Sequence, residues 1–340
     1  MRIVIVGASG NLGTALLRRA QREPDVELVG VSRRRPGLGA EPYSGVEWHR
    51  IDIGAADAPQ RLREAFTGAD AVVHLGWALQ PNRDEATMAR TNVHGTRVVL
   101  DSAAVAGVPQ VLVASSVGAY SFGPKHSRVS EDWPTGGVQT SHYARHKAIN
   151  ERAMDAFEAA HPDAVLTRIR PGLVFQPDAA REIAGLFVGP LVPVRMLGLL
   201  LRALPVLPLP TSLISQGVHS DDVADAFWRA IERRAGGAFN IAAEPVLGPS
   251  EVAAALGIAH TVPLRRQVLR AVVDLTWRLR LQATDPGWID LATAIPVMST
   301  ERARAVLGWA PTVSSTDALR GLVDGFTASR GLPQSPSLRG

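Results

Sequence analysis

Short, β-branched apolar runs alternate with amphipathic stretches through the first half of the chain, a period-2 signal giving way repeatedly to a period of about 3.6. The runs predict strands at 2–6, 26–32, 46–51, 70–75, 110–115 and 164–170. The stretches between them predict helices at about 11–22, 57–67, 81–106 and 141–160. Strand-helix alternation of this kind builds a parallel sheet covered on both faces. Right-handed crossovers make it an α/β, doubly wound sheet whose ligand crevice lies at the strand C-termini. Gly7, Gly76, Ser116 and Pro171 all fall at that edge.

The alternation fails after Phe175. Residues 1–175 therefore read as one domain, to which 219–242 returns through a helix at 221–235, while 176–218 and 243–325 read as a smaller, discontinuous C-terminal substrate lobe. The strand-like 238–242 ends that returning segment, but lying where the alternation has failed it also reads by pattern with the lobe, and the two placements stay open. A flexible tail is expected over 326–340. Residues 183–214 are strongly apolar, but Pro190, Pro193, Arg195, Arg202, Pro205, Pro208 and Pro210 interrupt them, so the ~20-residue run of a membrane helix is missing and a pocket wall or lid is the better reading. In 264–281, Arg266, Arg270, Asp274 and Arg278 form one stripe and Val268, Val272 and Leu279 another. That pattern predicts an amphipathic helix packed on the lobe with a solvated face rather than a membrane anchor.

The first strand runs into Gly7-Ala8-Ser9-Gly10-Asn11-Leu12-Gly13 and then a helix. This order suits a dinucleotide site. Gly7 permits the tight turn, Gly10 lets backbone approach a pyrophosphate, Gly13 allows close helix packing, and the helix N-terminus offers free N–H groups. The spacing is G-x-x-G-x-x-G, and an ordinary tight turn is the bland alternative. Downstream, Tyr143 and Lys147 stand four apart in Ser-His-Tyr-Ala-Arg-His-Lys, and Lys147 is one of only two lysines. On a helix such a pair shares a face, with Cβ atoms about 5–6 Å apart, so the ammonium can favour an ionised phenol. Bringing a phenol from ~10 towards neutrality takes about three units, or roughly 4 kcal/mol, and a second positive charge such as an oxidised nicotinamide would complete the effect.

Taken together with further motifs, these residues make the chain resemble the extended short-chain dehydrogenase/reductases, specifically the epimerase/dehydratase-like and 3β-hydroxysteroid dehydrogenase-like branch, over about residues 2–325. The further motifs are His74-Leu75-Gly76, Thr91-Asn92-Val93-His94-Gly95-Thr96, Ser115-Ser116-Val117-Gly118-Ala119-Tyr120, Arg170-Pro171-Gly172-Leu173-Val174-Phe175, Val218-His219-Ser220-Asp221-Asp222-Val223-Ala224 and Leu307-Gly308-Trp309-Ala310-Pro311. Three departures stand out. Ser121 and Gln176 replace glycines common in relatives, and Ser215 and Gln216 occupy the neighbourhood where sugar-nucleotide enzymes carry an arginine.

The resemblance implies a Rossmann fold with Ser116, Tyr143 and Lys147 catalytic. Tyr143 would be the acid/base, Ser116 would orient the substrate oxygen, and Lys147 would bind the nicotinamide ribose and tune Tyr143. A turn hydroxyl satisfying backbone groups is the bland account of Ser116. Asn92 would make a structural hydrogen bond. The cofactor contacts implied are Gly7, Ser9, Gly10, Asn11, Leu12, Gly13, Ser32, Arg33, Arg34, Asp52, Ile53, Leu75, Gly76, Pro171, Gly172 and Val174, besides Tyr143 and Lys147. No acid stands at the end of the second strand, Val29-Gly30-Val31-Ser32-Arg33-Arg34, so NADP(H) is favoured over NAD(H), with Arg33 and then Arg34 on the 2′-phosphate. For Asp52 a carboxylate capping the next turn is an equal alternative. The expected activity is hydride transfer between NADP(H) and a carbonyl or hydroxyl of a relatively apolar small molecule. The alternatives are a nucleotide-sugar epimerase or dehydratase with transient hydride transfer, and a catalytically idle NADP sensor.

Composition narrows the field further. At 340 residues, 46% hydrophobic and 20% charged, the chain can bury a full core. A formal charge of +4 and the short cluster Arg33-Arg34-Arg35 make nucleic acid a poor partner. Zero cysteines rule out disulfides and thiolate metal sites and fit a cytoplasmic protein. His142 and His146 could share a helix face, but no glutamate of a zinc-protease motif accompanies them, so no metal is expected. Oligomeric state is left open, with a homodimer among the options.

Overall fold

The structure is a computed structural model that describes residues 1–37, 39, 41–79, 82–187, 204–328 and 330–331. Its centre is a parallel sheet of seven strands: β1 (Arg2–Val6), β2 (Glu27–Ser32), β3 (Glu47–Arg50), β4 (Ala71–His74), β5 (Gln110–Ala114), β6 (Val165–Pro171) and β7 (Gly237–Ile241). The spatial order is β7-β6-β5-β4-β1-β2-β3, with the order reversing at β1. Each predicted strand of the first half is found within a residue or so of its expected bounds. β7 is the exception in placement: 238–242 belongs by register to the sheet, where Phe239 pairs with Ile169, and not to the lobe.

Alternation along β1 shows why the sheet is covered twice. Ile3 and Ile5 point into a core closed by the helices Asn11–Ala20 and Ser220–Arg233, which contribute Leu16, Leu17, Phe227 and Trp228. Val4 and Val6 point the other way, towards Leu62 and Phe66 of Ala58–Phe66, Val99 of Gly95–Val105, and Met154 and Phe157 of His142–Ala160. Both faces bury branched aliphatic side chains, which are worth about 1.5–3 kcal/mol each when fully buried.

The helix expected over 81–106 is interrupted. Glu85–Ala89 and Gly95–Val105 flank a π-helical turn, Arg90–His94. Asn92 in that turn is buried and clamps Ala78 on both sides, accepting from its N–H at 2.7 Å and donating to its carbonyl at 2.8 Å. The strand-to-helix loop is thereby fixed from inside the helix, in keeping with the use of such bulges at functional positions.

Outside the sheet, Ala180, Ala184, Leu207, Leu256, Ile258, Leu322, Val323 and Phe326 form a separate apolar cluster. Short parallel pairs tie these segments together: Leu173–Phe175 with Gly217–His219, Val206–Leu209 with His260–Pro263, and Arg128–Val129 with Val297–Met298. The tail expected over 326–340 overlaps the helix Ser315–Thr327, on which Phe326 is buried; most of 326–340 lies outside the described residues, as does 188–203 of the apolar segment 183–214.

The amphipathic stretch 264–281 forms a helix, Arg266–Arg278, but turned opposite to expectation. Val268, Val272, Leu275 and Leu279 are exposed, while Arg270, itself partly exposed, pairs with the buried Asp290 at 2.9 Å. Periodicity reveals an apolar stripe without saying which way it faces, and here the side bonded to the rest of the protein is the one that carries Arg270.

Candidate active site

The glycine turn is built by close approach. Gly7 has φ of +90°, and a Cβ there would lie 2.7 Å from the Gly76 nitrogen; one on Gly13 would lie 2.3 Å from the Gly7 carbonyl oxygen. Neither position admits another residue without moving backbone. The helix that follows begins after Gly10 with no side-chain cap and no acid in its first turn, leaving its first N–H groups and positive dipole end open to an anion. Asn11 Oδ1 is buried without a partner. A turn with no room for side chains and an uncapped helix start together fit a bound dinucleotide phosphate.

A cleft of about 190 Å³ opens above this turn. Of the residues expected to contact cofactor, it gathers Gly7, Ser9, Gly10, Ser32, Arg33, Arg34, Ile53, Leu75 and Gly76. Asn11, Leu12 and Gly13 stand behind it at the helix start, and Asp52 borders an adjoining depression with Arg33, Arg50 and Arg61. Asp52 Oδ1 accepts from the Gly54 N–H at 3.0 Å, which is the turn-capping role. Arg33 and Arg34 are exposed at the rim. Pro171, Gly172 and Val174 are not among the cleft's lining residues: Gly172 is pressed against the Gln216 carbonyl, and Val174 pairs with Val218.

Ser116, Tyr143 and Lys147 converge beside the cleft. β5 ends at Ala114, so Ser115 and Ser116 fall at the sheet's C-terminal edge, and Ser141 caps the helix His142–Ala160 that presents Tyr143 and Lys147 one turn apart. The Ser116 hydroxyl is in hydrogen-bonding contact with the Tyr143 phenol and also accepts from the Gly118 N–H at 3.0 Å, so the turn-capping bond does not draw it away from Tyr143. A Cβ on Gly118 would sit 2.8 Å from the Tyr143 ring.

The electrostatics differ from the expected ones. Burial raises the Tyr143 phenol above its ordinary value, with the Ser116 contact pulling in the other direction. Lys147 is pushed down to about 7 by burial, with Glu151 pulling it up, and its ammonium donates to the Ala114 carbonyl at 2.8 Å. It also lies 3.7 Å from the centre of the Trp77 ring. Lys147 thus spends its charge on a carbonyl and an indole face, and desolvation of the phenol prevails.

Trp77 and Trp288 are the residues sequence reasoning missed. Their rings lie 5.4 and 5.2 Å from that of Tyr143, and Trp77 also lines the cofactor cleft. Trp77 directly follows His74-Leu75-Gly76, which could have drawn notice. Trp288 comes from the helix Gly287–Ala294, far along the chain and in no motif. The same helix start is tied to the site through Asp285, which accepts from Asn82 at 2.9 Å and contacts His142 at 3.2 Å. His146 faces Glu85 at 3.6 Å, and no group of three metal-ligating side chains occurs among the described residues.

Behind the site lies a buried ionic group. Glu151, fully buried one turn beyond Lys147, accepts from Ser115 at 2.5 Å, from Arg170 at 2.8 and 2.9 Å, and from Arg168 at 3.2 Å. Burial alone would raise its carboxyl, but the Arg170 hydrogen bonds and charge hold it below the usual range. Arg170 continues to the Tyr120 hydroxyl at 2.9 Å, which donates to Asn240 on β7.

Residues 3–242 match the model of the NAD dependent epimerase/dehydratase family. The chain belongs to that family. Over 96% of its length it is 26% identical to the UDP-glucose 4-epimerase of Mycolicibacterium smegmatis, of which it covers 98%. It is also 26% identical to a 4-hydroxy-2-methyl-3-oxo-4-farnesyl-3,4-dihydroquinoline-1-oxide ketoreductase of Stigmatella aurantiaca, over 52% of each chain. Among solved structures, the UDP-glucuronic acid 4-epimerase of Bacillus cereus in complex with NAD superposes with a TM-score of 0.69 at 18% identity, covering 97% of this chain and all of the other. The family's Rossmann-type, extended short-chain architecture is therefore the fold of this protein. The finer 3β-hydroxysteroid dehydrogenase-like placement has no support among these matches.

Proposed function

We propose that this chain is a nicotinamide-dependent enzyme that moves hydride at a carbon bearing oxygen, using the epimerase/dehydratase pattern in which the oxidised state is transient. The observation that carries it is the meeting of the Ser116 hydroxyl and the Tyr143 phenol, one turn from Lys147, beside a glycine cleft that fits a dinucleotide. The cofactor would supply or take the hydride. Gly7, Gly10 and the first amides of the following helix would hold its phosphates, Ile53, Leu75 and Gly76 would border it, and Lys147 would hold its ribose. Tyr143 would exchange the proton on the substrate oxygen, and Ser116 would keep that oxygen in place. Residues 1–175 with 219–242 would carry this chemistry, while 176–218 and 243–325 would supply most of the substrate pocket.

The full-length match to an epimerase weighs for transient transfer over the net reductase that sequence pattern put first. A second reading, net reduction of an apolar carbonyl, is favoured by the walls of the site. Trp77 and Trp288 flank Tyr143, and Gln216, in the neighbourhood expected to hold an arginine for a diphosphate, spends its amide on the Met298 backbone at 2.6 and 3.1 Å. Under either reading NADP(H) is the proposed cofactor, on the strength of Arg33 and Arg34 at the cleft rim, although the similar solved structures hold NAD.

Cofactor turnover distinguishes the readings. The protein is incubated with UDP- and dTDP-sugars, and separately with apolar ketones and NADPH, while product and nicotinamide absorbance are followed together. Sugar product without net cofactor change supports the epimerase or dehydratase; NADPH consumed in step with alcohol formed supports the reductase. Neither, across both panels, refutes hydride transfer.

A further inference from the structure

We infer that the helix Arg266–Arg278 docks the protein on an anionic lipid surface, a property that goes beyond the hydride chemistry and does not depend on it. The helix has no buried residue, and its apolar stripe faces outward: Val268, Val272, Leu275 and Leu279, spaced to share one face, are 47–60% exposed. Eight of the thirteen exposed large hydrophobic side chains among the described residues lie at 204–206 and 262–281, so the apolar surface is concentrated here rather than scattered.

Charge selects the occupant. Residues 265–281 hold five arginines and one aspartate, a net +4 that equals the formal charge of the entire chain. Arg270 and Arg278 are paired with Asp290 and Asp274 at 2.9 Å each. Arg265, Arg266 and Arg280 flank the helix, exposed and with no carboxylate partner among the described residues. An apolar stripe with free arginines at both ends matches an acyl boundary beneath phosphate headgroups, with the arginine stems lying along the apolar surface and the guanidinium groups on phosphate. A second copy of the chain is the poorer fit, because a two-fold contact would set this charge against itself. No helix of the described residues is long and apolar enough to cross a membrane, so the attachment is peripheral.

The position matters for access to the site. The Arg83 guanidinium stacks 3.5 Å from the centre of the Trp277 ring at the helix C-terminal end, and neighbouring Asn82 bonds Asp285, which touches His142 beside Tyr143. A docked helix would hold the mouth of the site near the bilayer.

The test is flotation of the full chain with vesicles of phosphatidylcholine alone and of phosphatidylcholine mixed with phosphatidylglycerol. Binding to the mixed vesicles, weak binding to the neutral ones and loss in high salt are expected. Leu275→Glu/Leu279→Glu alters exposed positions only and should keep native circular dichroism while cutting binding about ten-fold or more. Arg265→Gln/Arg266→Gln/Arg280→Gln should bind more weakly and lose most of the salt dependence. The inference is overturned if wild type ignores anionic vesicles, if the double leucine variant binds as well as wild type, or if sedimentation finds a dimer that this variant dissociates and that accounts for the covered face.

Discussion

Replacing Lys147 with methionine should make the protein more stable and less active at once. Burial pushes the Lys147 ammonium down to about 7 from an ordinary 10.5. That gap of about 3.5 units, at about 1.4 kcal/mol each, makes burial of the charged form cost roughly 5 kcal/mol relative to the unfolded chain. Methionine of similar length forfeits the cation–π contact with Trp77 and the bond to the Ala114 carbonyl, together worth roughly 2–3 kcal/mol. A net gain of about 2–3 kcal/mol remains, or about 3–4 °C in Tm for a chain of this size. Because the folded-state value lies below the unfolded one, the unfolded chain holds the extra proton between about 7 and 10.5, and wild-type stability climbs with pH across that window. The variant lacks this slope, so its advantage is full below about pH 7, shrinks by about 1.4 kcal/mol per pH unit above it and is gone by about pH 9. Thermal unfolding of both cofactor-free proteins at about pH 6, 8 and 10 reads this directly. A variant no more stable than wild type at pH 6, or a gap that does not narrow, would refute the reasoning.

Tyr143→Phe keeps the ring between Trp77 and Trp288 but removes the proton donor, so turnover should fall by about 10²–10⁴ with cofactor affinity nearly unchanged; a near-normal rate rules out the acid/base role. Arg33→Ala/Arg34→Ala should weaken NADPH binding by about ten-fold or more, as expected for a lost charge-assisted phosphate contact, and NADH binding little; calorimetry showing equal losses would remove the NADP assignment. Gly13→Ala forces a Cβ to within 2.3 Å of the Gly7 carbonyl and should cost about 1–3 kcal/mol in denaturant unfolding together with cofactor affinity. An unchanged midpoint would mean that the turn is not tightly seated on the helix.

The sheet was legible because both of its faces are buried, which forces branched apolar runs such as Ile3-Val4-Ile5-Val6 whatever else the chain does. The glycine turn was legible for a related reason: backbone contact leaves a compositional mark. Strand 237–241 was not, since its membership depends on pairing with β6 across some seventy residues of intervening chain, and local pattern carries no register. The π-turn at 90–94 likewise depends on Asn92 finding Ala78 in space. Tyr143 and Lys147 could be located, but their electrostatics could not. Trp77 and Trp288 come from opposite ends of the chain, and only their convergence shows that desolvation outweighs the neighbouring charge at the phenol.

Glu151, Arg168 and Arg170 hold one another in the interior, and this constrains how the sequence can drift. Substituting Glu151 alone strands the Arg170 guanidinium away from water, at a cost of about 3–5 kcal/mol, whereas replacing Glu151 and Arg170 together with apolar side chains of matching volume can be neutral or stabilising. Arg168 is less bound to the group, because Asp155 and Glu158 hold it from the surface side and its loss leaves Glu151 paired with Arg170. The route to the apolar pair passes through intermediates that fold poorly, so the pair is a trap in mutational space rather than an optimum. A scan of single substitutions would score Glu151 as indispensable. The combination that dispenses with the pair lies beyond anything such a scan samples.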